Sequence, residues 1–335
     1  MRIFFDPAQK EHAPATELHN GELVPYAEKP ARLASILAKI GDTHTPRDFG
    51  LGPIQAVHSD AYLDFLRSAY EDWRTAGRTG DAVPYVFPVR GRRPLTLDRI
   101  DGRLGHYAFD CGTPITEKTW AAAYASAQTA LTALEHVISG DPVSFALCRP
   151  PGHHAGRDYF GGYCYLNNAA IIAANAIDKG AGRVAILDVD YHHGNGTQDI
   201  FYERAEVLTV SIHADPSTDY PFYWGHADEM GTGKGLGATL NLPLRRGTDW
   251  TAFEQALARA METVATFNPD LLVVPFGADT FDGDPISYFR LKSEDYTAIG
   301  QSIGALNIPT VVTMEGGYAI EALGENVHRF LAGLS

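Results

Sequence analysis

The sequence predicts an α/β fold with a mostly parallel central sheet flanked by helices. Three observations carry that expectation. Short apolar runs recur along the chain, amphipathic helical stretches lie between them, and histidines and carboxylates gather where the runs end.

The runs are residues 143–148, 184–189, 207–212, 271–276 and 310–314. Each is continuous rather than alternating, as in strands covered on both faces of a parallel sheet, and four are rich in β-branched residues. Residues 120–138, 167–179, 250–267 and 294–306 show helical amphipathic spacing. Strands alternating with helices read as a doubly wound sheet. Segment 85–114 breaks the pattern, being rich in Pro, Gly and Arg and without a period. So long an irregular stretch marks a functional loop, an interface or a disordered surface loop. Helical patterns flank it on both sides, so residues 1–335 are expected to form one domain carrying a loop insertion.

Composition narrows the function. Hydrophobic residues make up 45% and charged residues 20% of the 335, which suits a globular chain with a sizeable core. The formal net charge of −14 disfavours phosphate backbones and favours cationic partners. No nucleic acid is expected as a partner. Cys111, Cys148 and Cys164 are scattered, without a C-x-x-C pair, which suits a reducing compartment. The apolar stretch after Met1 is too short for a signal peptide, and no run of about 18 apolar residues spans a membrane. A cytoplasmic enzyme or binding protein is the expectation.

Ligands of open parallel sheets sit beyond the C-terminal ends of the strands. There the chain places Arg149-Pro150-Pro151-Gly152-His153-His154, Asp188-Val189-Asp190-Tyr191-His192-His193-Gly194-Asn195-Gly196, Gly277-Ala278-Asp279-Thr280 with Gly283-Asp284-Pro285, and Glu315-Gly316-Gly317-Tyr318. Asp190 and His192, two apart on an extended segment, project to one side. Joined by Asp279, they offer two oxygens and a nitrogen to a catalytic zinc or a similar divalent ion. Without a metal they would form an ordinary hydrogen-bonded Asp–His pair. His153 and His154 follow a rigid Pro-Pro-Gly turn, and one of them can accept a proton from water. Asp188 and Asn195 are candidates to orient those rings. Tyr318, after two glycines, is either an oxyanion donor or a core tyrosine.

Together these four motifs, in this order, resemble the histone deacetylase superfamily. The likeness runs from Val57-His58-Ser59-Asp60-Ala61-Tyr62 to Tyr318, nearly the whole chain. It implies an arginase–deacetylase-type fold and metal-dependent hydrolysis of an acetyl amide. Residues 16–25 and the 85–114 insertion are similar to those of bacterial acetylpolyamine amidohydrolases. That narrower likeness implies one zinc per chain on Asp190, His192 and Asp279, His154 as general base and acid, His153 as an electrostatic partner, and Tyr318 as carbonyl polariser. It also implies potassium near Asp188, Asp190, His192, Ser211 and Ile212, partly on main-chain carbonyls. Tyr163 and Tyr220, with Gly162, match the walls of an acyl-amine tunnel. Glu17, Asp101 and Asp110 are candidate ammonium-binding carboxylates or plain surface acids.

Asn195 departs from the histone-type enzymes, which carry a carboxylate after His-His-Gly. A neutral amide orients an imidazole without raising its pKa as an anion would. A protein lysine deacetylase and a non-catalytic acyl-amine binder remain alternative readings. The insertion is expected to mediate a two-fold dimer that narrows both tunnel mouths, with Asp101 near the neighbouring site.

Overall fold

The computed structural model describes residues 1–89 and 97–334. Its strands are β1 (Arg2–Phe4), β2 (Thr16–His19), β3 (Glu22–Pro25), β4 (Val143–Ala146), β5 (Val184–Asp188), β6 (Val207–Ala214), β7 (Thr239–Leu244), β8 (Leu271–Phe276) and β9 (Thr310–Met314). The helices are α1 (Ala31–Leu37), α2 (Gly52–Gln55), α3 (Asp60–Thr75), α4 (Ile100–Tyr107), α5 (Thr119–Ile138), α6 (Asn168–Asp178), α7 (Asn195–Phe201), α8 (Trp250–Phe267), α9 (Ser293–Gly304) and α10 (Ile320–Gly333).

Seven strands form one sheet in the order β1-β4-β9-β8-β5-β6-β7, and every pairing is parallel. The remaining two, β2 and β3, make an antiparallel hairpin. Alternation within each strand feeds two cores. Val273 faces a layer built from α3, α5 and α6, while Val274 faces the layer of α1, α8, α9 and α10. Both faces are covered, which is why these strands read as unbroken apolar runs.

The predicted runs all become strands, with ends shifted by one or two residues in β4, β5 and β6. The order in which strands are added reverses between β5 and β8: β5 is followed outward by β6 and β7 on one side, whereas β8 is followed by β9 on the other. Open α/β sheets place their ligands at such a switch point.

Segment 85–114 needs correction. It is not irregular throughout, because α4 lies inside it with Ile100 and Leu104 buried against the core. Gly105 is required there, since a Cβ would lie 1.6 Å from the carbonyl oxygen of Val86. Residues 90–96 of the proposed insertion lie outside the described residues.

Candidate active site

β5 runs straight into Asp188-Val189-Asp190-Tyr191-His192, and β8 into Gly277-Ala278-Asp279. Their ends converge. Ligating atoms of Asp190, His192 and Asp279 lie within 4.8 Å of one another. His192 Nδ1 is 3.2 Å from Asp279 Oδ2 and 3.3 Å from Asp190 Oδ1. Backbone donors fix both carboxylates: Gly316 N–H reaches Asp190 Oδ2 at 2.8 Å and Tyr191 N–H reaches Asp279 Oδ1 at 3.0 Å. Gly316 must be glycine, since a Cβ there would lie 2.1 Å from Asp279 Oδ2.

Electrostatically the cluster is unfinished. Two buried carboxylates face His192, the His153 ring lies 3.9 Å from Asp190 Oδ1, and among the described residues no Lys or Arg reaches them within ion-pair distance. Burial works against a charged His192, yet its hydrogen bonds to Asp190 and Asp279 carry its pKa up to about 10. Burial and the charge of Asp190 push Asp279 up. Such a set, two oxygens and a nitrogen short of positive charge, fits a divalent cation.

The turn after β4 presents two imidazoles of opposite character. His153 Nδ1 lies 2.9 Å from Asp188 Oδ2, and the charges of Asp188 and Asp190 outweigh burial to bring its pKa to about 10. His154 Nδ1 lies 2.7 Å from the Asn195 amide oxygen. Burial first, then the positive charges of His153 and His192, hold His154 well below the usual histidine range. One ring is an imidazolium and the other a neutral base. Gly162 makes room for the base: a Cβ at that position would lie 2.2 Å from His154 Cδ2.

In front of these groups lies a cavity of about 350 Å³ whose lining includes His154, His192, Gly162, Tyr163, Tyr220 and Tyr318. Tyr163 and Tyr220 stand as walls. The Tyr163 hydroxyl donates to Glu17 Oε1 at 2.9 Å, and the Tyr220 hydroxyl donates to Asp110 Oδ2 at 2.9 Å. Gly162 and Tyr163 both have left-handed backbone, at φ 56° and 65°, which turns the Tyr163 ring into the cavity. Asp110 pins that turn by accepting Gly162 N–H at 2.7 Å. Tyr318 is buried, its ring sits 5.0 Å from the Arg32 guanidinium, and burial raises its pKa well above the ordinary value. Its hydroxyl therefore stays a donor, and it has no hydrogen-bond partner among the described residues.

Glu17, Asp110 and Asp219 supply carboxylates to the lining, and Arg246 a guanidinium that pairs with Asp219 at 2.8 Å. Asp101 does not join them. It is buried at the start of α4, held by Arg78 at 2.6 Å and Arg99 at 2.8 Å, so within one chain it has no access to the cavity. A charged residue in a segment read as loop is in fact an arginine-clamped helix start. Asp110 lines the cavity, as an ammonium-binding carboxylate would, and also has a structural part. Its carboxylate accepts Gly112 N–H as well as Gly162 N–H and the Tyr220 hydroxyl, and so positions the walls.

Behind the site, Asp188 and Ser211 are register partners on β5 and β6, and the Ile212 side chain lies in the core. Several contributors escaped the sequence reading. Glu28 is buried between Arg32 at 2.6 Å and Arg149 at 2.9 Å, and Arg32 holds the Gly317 carbonyl at 2.7 Å. Glu315 accepts Gly152 N–H at 2.6 Å and His153 N–H at 3.1 Å, fixing the His-His turn. Phe222, Ile286 and Tyr288 line the outer cavity. Glu28 and Arg32 are four residues apart and Glu315 opens the Tyr318 motif, but their partners lie far along the chain, and no local spacing announces those contacts.

The chain is similar to known proteins over its whole length. Residues 26–334 match the model of the histone deacetylase domain. An acetylpolyamine amidohydrolase 2 of Pseudomonas aeruginosa is 49% identical, over 99% of this chain and 98% of its own length. The acetylpolyamine amidohydrolase of Mycoplana ramosa is 44% identical over 100% of both chains. The crystal structure of acetylpolyamine aminohydrolase from Burkholderia pseudomallei superposes with a TM-score of 0.96 at 41% identity, covering 100% of this chain and 98% of that one. With four neighbouring strands, β4, β9, β8 and β5, each running into one of the four motifs, and a domain match that encloses every one of them, the chain belongs to the histone deacetylase family.

Proposed function

We propose that the chain is a zinc-dependent deacetylase that hydrolyses the acetyl amide of acetylated polyamines to acetate and free amine. One observation carries this reading. A neutral His154 and a protonated Tyr318 line the same cavity as His192, whose ring lies within 3.3 Å of the carboxylates of Asp190 and Asp279. The full-length likeness to acetylpolyamine amidohydrolases supports it.

Asp190, His192 and Asp279 would hold the zinc, which when bound supplies Lewis-acid polarisation of the acetyl carbonyl and lowers the pKa of water. His154 takes the proton of the attacking water at Nε2, because Nδ1 is committed to Asn195. The Tyr318 hydroxyl donates to the oxygen that becomes negative as the tetrahedral centre forms. His153, as an imidazolium, offsets the negative charge around Asp188 and Asp190. His154 then returns its proton to the departing nitrogen, so that the amine leaves neutral, and the acetic acid left behind gives its remaining proton to solvent to become acetate.

The aromatic walls and acidic lining suit a slim cationic chain. Glu17 remains the candidate ammonium partner, its pKa raised by burial despite the bond from Tyr163. Asp110 acts through Tyr220 and the Gly162–Tyr163 turn. Potassium near Asp188, Asp190, His192, Ser211 and Ile212 is part of the proposal, supported by the pairing of β5 with β6 that brings Asp188 beside Ser211.

The enzyme is further proposed to be a cytoplasmic homodimer that binds neither nucleic acid nor membrane. All three cysteines are free, and no helix among the described residues is long and apolar enough to cross a membrane. Tyr85, Val86, Phe87 and Val89 are exposed beside α4, an apolar surface that a second copy would cover. Light scattering at assay concentration tests the dimer, and a monomer would refute it. Acetate release from acetylputrescine by metal-loaded enzyme tests the reaction, and no release above buffer would refute that.

A further inference from the structure

Gly283-Asp284-Pro285 stands out in the sequence yet has no part in the reaction derived above. Asp284 is 6% exposed, in the loop between β8 and α9. Its Oδ2 accepts the N–H of Tyr318 at 2.7 Å and that of Ala319 at 3.2 Å, while Oδ1 accepts Ile286 N–H at 3.1 Å. A single carboxylate therefore joins the turn that carries Tyr318 to the cavity rim formed by Pro285, Ile286 and Tyr288.

That turn needs an outside clamp. Gly317 has φ 119°, and two successive glycines leave the backbone before Tyr318 with wide conformational freedom. The carbonyl of Gly317 and the N–H of Tyr318 belong to one peptide unit. Arg32 Nε grips its oxygen at 2.7 Å and Asp284 grips its nitrogen at 2.7 Å. The plane from which the phenol hangs is thus pinned at both ends by buried side chains, a guanidinium at one end and a carboxyl at the other. The bond from Arg32 is charge-assisted, and such bonds are about twice as strong as neutral ones.

The geometry points to Asp284 as a positioning residue for Tyr318: it holds the 317–318 peptide so that the phenol hydroxyl meets the acetyl oxygen. This rests on the proposed reaction. What matters at Asp284 is then the hydrogen-bond acceptor and its placement. A different role, tuning Asp279 by charge, would make the negative charge matter instead.

The two roles separate in a double-mutant series on the metal-loaded full chain with acetylputrescine. Asp284→Ala, Asp284→Glu and Asp284→Asn are each made with Tyr318 and with Tyr318→Phe. Ala and Glu should lower kcat on the order of 10- to 100-fold, as a misplaced catalytic group does, with KM within about twofold. Asn keeps an uncharged acceptor for the Tyr318 and Ala319 N–H groups, turns its NH2 toward the Ile286 N–H, and should retain more of wild-type kcat than Ala or Glu. In the Tyr318→Phe background Ala and Glu should cost nothing further, and elemental analysis should find the same metal content throughout.

Equal losses in both backgrounds would overturn the proposal, as would lost metal or an active Glu variant beside a defective Asn one. If Asp284→Ala does not fold, Asp284→Glu, which keeps the charge and most of the volume, carries the same comparison. A Tyr318→Phe enzyme with wild-type kcat would instead sink the proposed reaction itself, so the two failures are distinguishable.

Discussion

His154 meets Asn195 ring nitrogen to amide oxygen at 2.7 Å, whereas its neighbour His153 meets the carboxylate of Asp188 at 2.9 Å. Two adjacent imidazoles thus differ in charge because their partners do. The amide lets burial and the nearby positive rings keep His154 neutral, while the carboxylates hold His153 protonated.

Replacing Asn195 with Asp should reverse that for His154. An anion at Nδ1 stabilises the imidazolium, so the pKa of His154 rises. The base works only when neutral, and activity on the acidic side is gained as pH climbs through that pKa. The acid limb of kcat/KM against pH should therefore move to higher pH in Asn195→Asp. An unchanged limb would mean that His154 is not the base, or that Asn195 does not set its charge.

The metal cluster makes a stoichiometric prediction. Wild type should carry one divalent ion per chain, and Asp279→Ala, which removes one oxygen of the three-residue set, should lose it. Elemental analysis of dialysed protein reads this directly. Stoichiometric metal in Asp279→Ala would place the ion elsewhere.

Each of the two reacting side chains has its own expected cost. His154→Ala should reduce kcat on the order of 10²-fold or more, the usual loss for a general acid–base. Tyr318→Phe removes one oxyanion donor and should cost on the order of 10²- to 10³-fold in kcat. Steady-state kinetics with metal content measured on the same samples separate these effects from metal loss.

Stability should be most sensitive behind the site. Glu28 lies fully buried between Arg32 and Arg149, and Arg149 also donates to the Gln9, His12 and Glu28 carbonyls. Glu28→Ala leaves two guanidinium groups in the interior without their shared anion. A loss of about 3–5 kcal/mol is expected, the usual scale when one partner of a buried ion pair is removed. Urea unfolding measures it, and a loss under about 1 kcal/mol, the scale of an exposed pair, would show that the triad is not buried as described.

The sheet was readable in the sequence because its central strands are buried on both faces and therefore unbroken in apolar character. Edge elements were not. β7 alternates, contains Asn241 and Pro243, and is partly exposed, and β1 spans only Arg2–Phe4. The β2–β3 hairpin is largely polar, yet it delivers Glu17 to the cavity. The convergence of Asp190, His192 and Asp279 and the His153–His154 pair were legible because chemistry-bearing residue types crowd the strand ends. The surroundings of Asp101 were not: a carboxylate in an aperiodic stretch looks solvated until Arg78 and Arg99 are seen to clamp it. Arg149 meets Glu28, and Asp284 meets Tyr318, across separations that no local spacing reveals.

A competition among acetylputrescine, acetylspermidine and an acetyl-lysine peptide, followed by acetate release from metal-loaded enzyme, is the decisive experiment for the proposed reaction. An acetylpolyamine should be hydrolysed with the highest kcat/KM, and Tyr318→Phe should lower kcat on all three substrates, whose acetyl oxygen is the same. Preference for the peptide, or acetate release that survives loss of both His154 and Tyr318, would contradict it.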